Sequence, residues 1–136
     1  MIRAALAVLL ALAGPAAAQE PPTPIRFARG ASSAVLEGAV IRGERALYGL
    51  EARAGQRLAV RVASPERNAV VQIYEPGARR RVEEGVLEVE GRALPGAGEG
   101  EDARAWSGAL PRSGTYLLVV GGTRGNASYR LEVSVR

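Results

Sequence analysis

The sequence predicts an all-β fold, a single sandwich of about eight antiparallel strands, on three grounds. Beyond residue 24 the chain falls into short runs rich in branched and aromatic residues, separated by turns that contain glycine. In the last run Tyr129, Leu131, Val133 and Val135 alternate with Arg130, Glu132, Ser134 and Arg136, the period of a strand with one buried and one wet face. No window past the first eighteen residues keeps apolar side chains at helical spacing for three turns. Alanine favours helix by propensity, but glycine and β-branched residues outweigh it, so no helix longer than a turn or two is expected.

Along the chain, residues 1–18, MIRAALAVLLALAGPAAA, set Arg3 ahead of an apolar run at 4–13, then a Gly-Pro break and small residues before Gln19. That is the pattern of a secretory signal peptide cleaved after Ala18. The run is about half the roughly 20 apolar residues a membrane span needs, and no later stretch approaches that length. With no cysteine, neither a lipid-anchored leader nor a disulfide is expected. The processed chain, 19–136, is expected to be one soluble domain in the periplasm or outside the cell. Residues 19–24 form an extended lead-in, because Pro21, Pro22 and Pro24 lack amide donors and fix φ. Structure is expected to begin at Ile25, with the sandwich spanning 25–136.

The strand-like runs are IRFAR (25–29), SAVLEGAVI (33–41), RALYGLEA (45–52), RLAVRVA (57–63), AVVQIYE (69–75), VLEVE (86–90), ARAWSGAL (103–110), TYLLVVG (115–121) and ASYRLEVSVR (127–136). Leu58, Val60 and Val62 repeat the alternation against Arg57, Ala59 and Arg61. Between Pro76 and Asp102 only VLEVE reads as strand, and a connection that long is expected to be either mobile or functional.

Composition narrows the chemistry. Without histidine or cysteine, the common nucleophile-and-base pairs and all nitrogen or sulfur metal sites are excluded. A carboxylate enzyme would have to draw on Glu83, Glu84, Glu88, Glu90, Glu99, Glu101 and Asp102, with few aromatics to build sugar subsites. No enzyme activity and no cofactor are therefore expected. GEGED (98–102) reads as a solvated acidic loop rather than a calcium loop, since its spacing matches no cation-loop pattern. Arg79–Arg81 reads as a charged loop or edge that discourages strand pairing. Trp106 reads as core or corner packing. Every basic residue is arginine, and loss of Arg3 with the leader takes the formal charge from +4 to +3, too diffuse to imply nucleic acid.

Three stretches, YGLEARAGQRLAVRV (48–62), WSGALPRSGTYLLVV (106–120) and ASYRLEVSV (127–135), resemble the bacterial pre-peptidase C-terminal domain, a small jelly-roll-like sandwich. IRFARGASSAVLEGAVIRG (25–43), followed by the Tyr48 strand and the Gly55-Gln56 turn, resembles the periplasmic inhibitors of g-type lysozyme. Phe27, Gly30, Ser32, Ser33, Ala34, Gly38, Val40, Gly43, Tyr48, Gly55 and Gln56 match position by position. Ser113, Gly114 and Tyr116 match the Ser-Gly-x-Tyr motif of bacterial lysozyme inhibitors, and Thr123-Arg124 matches a Thr-Arg pair in their last inter-strand loop. Where the family tends to carry an aromatic after Gly43, this chain has Glu44-Arg45, and its last loop is shorter.

The resemblance implies a lysozyme inhibitor that blocks the muramidase cleft with loops. Its alternative is a non-catalytic binding or accessory module for cell-wall glycan, including peptidoglycan, or for a protein partner. The implied contact set is Arg42, Glu44, Arg112, Ser113, Gly114, Tyr116 and Arg124, on turns expected to lie side by side at one edge. An arginine fork there would pair with the cleft's essential carboxyl group. The residues themselves leave a second reading open: Ser113-Gly114 as a plain turn, and Tyr116 as a corner residue whose hydroxyl finds a backbone partner.

Overall fold

A computed structural model describes residues 21–136. The leader at 1–18 lies outside the described residues. The fold is all-β, with ten strands: β1 (Thr23–Pro24), β2 (Ser33–Val40), β3 (Arg45–Ala52), β4 (Arg57–Ala63), β5 (Ala69–Tyr74), β6 (Arg79–Glu83), β7 (Val86–Glu90), β8 (Ala105–Ala109), β9 (Gly114–Gly122) and β10 (Ala127–Val135). One sheet has the order β1-β3-β9-β5 and the other β2-β10-β4-β8, while β6 and β7 form a separate ribbon. All pairings within named strands are antiparallel except the short β1–β3 contact.

The two sheets pack face to face because their alternating rows point at each other. Leu50, Tyr116, Leu118, Val120, Val71 and Ile73 from one meet Leu58, Val60, Val62, Leu131, Val133 and Tyr129 from the other. The outward row of β9 is buried as well: Leu117 and Val119 lie with Tyr74 beneath Ala78, Val89 and Ala93. The ribbon thus covers the outer face of the first sheet. This is why YLLVV (116–120) is a continuous apolar run where β10 alternates.

Three local expectations are corrected. IRFAR is not a strand: residues 25–29 leave the β1–β3 contact through a bond from the Ile25 amide to Gly49 O (2.8 Å), and Ile25 enters the core. Structure starts before Ile25, since Thr23 and Pro24 already pair with β3. Arg79–Arg81 is strand β6, paired with β7, and Arg81 sits 3.0–3.5 Å from Glu83, Glu88 and Glu90. These ion pairs are half exposed, so they contribute little to stability and more to register.

The 91–104 crossing packs along β5. Leu94 and Ala97 are buried, and backbone bonds Leu94 N to Ile73 O and Ile73 N to Ala97 O pin the crossing along β5. Val71 N to Ala103 O extends that seam. Trp106, half buried on β8, donates its indole N–H to Pro95 O at 2.8 Å, the packing role its sequence suggested.

Candidate functional site

The strand register separates the expected contact residues into two groups. Gly114 opposes Ala52 at one end of β9, and Gly121 opposes Arg45 at the other. At about 3.3 Å per residue the two ends lie roughly 26 Å apart. Arg112, Ser113, Gly114 and Tyr116 therefore occupy one end of the sandwich, and Arg42, Glu44 and Arg124 the other. The expected single edge does not exist, because both motifs flank the same strand from opposite sides.

At the first end only the tyrosine of the motif points inward, while Arg112, Ser113 and Gly114 stay exposed. The Tyr116 ring is fully buried, its hydroxyl donates to Arg112 O (2.7 Å), and that hydroxyl accepts from Arg112 N (3.1 Å). This is a tyrosine corner, which clamps the turn entering a strand. Ser113 Oγ accepts from Ala54 N (2.9 Å), joining this turn to the β3–β4 turn. The Arg112 guanidinium stands 3.8 Å from the buried Glu75 carboxylate. Tyr116→Phe is expected to cost about 1 kcal/mol, the net worth of the lost hydroxyl bonds. It should lower the melting temperature by about 4 °C in a thermal scan.

At the second end three turns form a rim. Ile41–Glu44 is closed by Glu44 N to Ile41 O (2.8 Å) and requires glycine at its third position, where Gly43 has φ 86°. In the β4–β5 turn Ser64 Oγ accepts from Asn68 N and Ala69 N. The β9–β10 turn, 123–126, hangs from Asn68. Asn68 is 3% exposed; its side-chain amide donates to Arg124 O and Asn126 O (3.0 Å each), and its backbone carbonyl accepts from Thr123 N. Asn126 Oδ1 in turn accepts from Arg42 N at 2.7 Å, so the first and third turns are tied directly.

The rim's outer surface is cationic with acidic interruptions. Arg42, Arg45, Arg67, Arg104 and Arg124 are exposed, as are Glu44, Glu66 and Asp102. Arg124 is held against the neighbouring turn by donating to Glu66 O (2.9 Å), and Arg104 donates to Arg67 O (2.7 Å). Ile41, 62% exposed, stands beside these charges at the start of the Gly43 turn. A groove of about 390 Å³ flanks the rim, between Gly43–Tyr48 and the ribbon residues Val82, Gly85 and Leu87. Among the described residues no cluster of three or more acidic side chains could hold a metal ion.

The solved structure of PliG from Aeromonas hydrophila, a periplasmic inhibitor of g-type lysozyme, is 30% identical, with a TM-score of 0.66 over 85% of this chain and 96% of that one. This chain belongs to the PliG family. The PliG of Salmonella Typhimurium (20% identity, TM-score 0.59, 86% and 99% covered) shares the fold. So does a mutant of the Escherichia coli PliG (22%, 0.57, 85% and 97%). No protein-family model matches the sequence, and no curated protein does. All three structures are of proteins described as periplasmic lysozyme inhibitors, none as an enzyme. Among the described residues no helix is long and apolar enough to cross a membrane.

The two turns in which this chain departs from the family pattern, Glu44-Arg45 and the short 123–126 loop, are the two that Asn126 joins. The structure places Arg42, Glu44 and Arg124 of the expected contact set on the rim, together with Ile41 and Asn68, which the sequence did not single out. Ile41 was legible, since the outward row of SAVLEGAVI runs 33, 35, 37, 39, 41. Asn68 carried only a weak signal, an asparagine between a Ser-Pro turn and a strand.

Proposed function

We propose that this protein is a periplasmic inhibitor of a g-type lysozyme and that the Arg42–Glu44–Arg124 rim enters the enzyme's cleft. The observation that carries this reading is the 30% identity across 96% of the Aeromonas hydrophila inhibitor. The rim supports it physically. Its turns are tied to one another by Asn68 and Asn126, so little ordering entropy is spent on binding. Arg124 presents a planar fork suited to a cleft carboxylate, and Ile41 offers an apolar anchor next to it. Glu44 offers the opposite charge for a basic group on the enzyme's rim. The processed chain, of formal charge +3 once Arg3 is lost from the +4 total, would not be steered toward a basic enzyme, so recognition rests on these local contacts. The Arg112–Tyr116 turn, clamped at the far end by the buried tyrosine, serves the scaffold, and Tyr116→Phe should leave inhibition unchanged.

The test is cell-wall lysis by goose-type lysozyme with the processed chain added. Lysis should stop near equimolar inhibitor, and undiminished lysis at micromolar inhibitor would refute the reading. Arg124→Ala should weaken binding about 30-fold, the equivalent of about 2 kcal/mol for one desolvated charged contact. Its melting temperature should stay that of the parent, because the guanidinium is exposed. Equal inhibition by this variant would remove Arg124 from the contact.

A further inference from the structure

The long edge of the second sheet is open. Val135 N donates to Ser32 O (2.9 Å), which fixes residues 32 and 135 as a hydrogen-bonded pair and, by alternation, 34, 36, 38 and 40 as the β2 residues bonded to β10. The N–H and C=O groups of Ser33, Val35, Glu37 and Ala39 therefore point away from the sheet. The other sheet edges are short or interrupted: β8 has five residues, β1 and the Ile25 amide occupy the middle of β3, and the 91–104 crossing runs along β5. β2 has eight residues, no proline and a single charge, Glu37, whereas the outward rows of β4 and β10 carry Arg57, Arg61, Arg130 and Glu132. Of the usual guards against edge pairing only the one charge of Glu37 is present.

We propose that β2 pairs antiparallel with β2 of a second copy of this chain, joining two four-stranded sheets into one of eight strands. The parity of the outward groups permits few registers, and the one centred on Leu36 uses all of them. Val35 then faces Glu37 of the partner subunit and Ser33 faces Ala39 of the partner subunit, with about eight inter-chain hydrogen bonds and no carboxylate directly opposite another. The inward row gains too. Ala34 and Leu36 are only partly buried at the open side of the sandwich, and this register sets Leu36 beside its own counterpart. The two rims fall at opposite ends of the joined sheet, so each copy keeps a complete one.

Sedimentation of the processed chain across a concentration series tests this. A shift to twice the monomer mass is expected by roughly 100 µM, well above a micromolar dimer constant. Val35→Pro removes an N–H that β10 does not use, so the strand should persist on its edge while the dimer is lost. Val35→Lys is a second route to the monomer that leaves the backbone intact. Both variants should keep a parental circular dichroism spectrum. A parent chain that stays monomeric at that concentration overturns the proposal, as does a dimer unaffected by both variants. If the parent is monomeric and Val35→Pro abolishes lysozyme inhibition, the edge receives the enzyme instead, and the dimer is equally refuted. Inhibition by monomeric variants leaves the proposed function standing on its own.

Discussion

Asn68→Ala is expected to lower both stability and inhibition, by about 2 kcal/mol and about tenfold respectively. The asparagine is buried, and its amide satisfies the Arg124 and Asn126 carbonyls, so truncation leaves two acceptors facing a small void. Losing one partner of a buried hydrogen bond costs about 1–3 kcal/mol, more than the bond's net worth, because the orphaned group stays desolvated. At about 4 °C per kcal/mol the melting temperature should fall about 8 °C. Inhibition should fall because the 123–126 turn, released from its mount, must be ordered again on binding. The comparison with Arg124→Ala is decisive: that variant should lose inhibition at parental stability. If Asn68→Ala is destabilised yet inhibits as the parent does, the rim's rigidity plays no part in recognition.

Strand positions were largely legible because burial on one face imposes a period of two, and eight of the nine expected runs coincide with strands to within two residues at each end. IRFAR failed because its apolar residues fill the gap between two sheet edges, a role with no fixed period. β6 was hidden by charge: its arginines face solvent or β7 carboxylates, so the run carries no apolar alternation beyond Val82. The ribbon that β6 builds is also what buries Leu117 and Val119, so a polar strand explains an apolar one.

The site was half legible for a different reason. Motif matching names residues one by one, whereas their grouping depends on which end of which strand each turn occupies. Nine residues of β9 separate the tyrosine corner from the arginine turn, and an even-handed reading of strand directions would have placed them apart. The contacts that organise the rim, from Asn68 to residues 56 and 58 positions away, leave no local trace at all.

Tyr129→Phe is expected to cost about 2 kcal/mol at neutral pH and to flatten the loss of stability in alkali. Tyr129 lies in the core with its ring tip so close to Gly38 that any side chain there would collide, and its hydroxyl is hydrogen-bonded to that of Tyr48. Removing the hydroxyl leaves Tyr48 with an unpaired buried group. Burial, reinforced by the Tyr48 bond and charge, pushes the Tyr129 phenol far above its ordinary value near 10. Tyr74 is also raised, by burial and then by Glu99, against an opposing pull from Arg45. Because the folded values are raised, the stabilisation is fully present below pH 10 and is lost as pH climbs above it, when the unfolded chain ionises first. No histidine, lysine or cysteine titrates on the way, so melting temperature should be nearly flat from pH 7 to 9 and then fall, at about 1.4 kcal/mol per pH unit for each such tyrosine. Thermal melts from pH 7 to 11.5 on the parent and Tyr129→Phe read this directly. The variant should start lower and descend less steeply, with Tyr74 supplying the remaining slope. Parallel alkaline limbs would mean that Tyr129 ionises no later in the fold than outside it, and the inter-sheet tyrosine pair would then be solvated rather than part of the core.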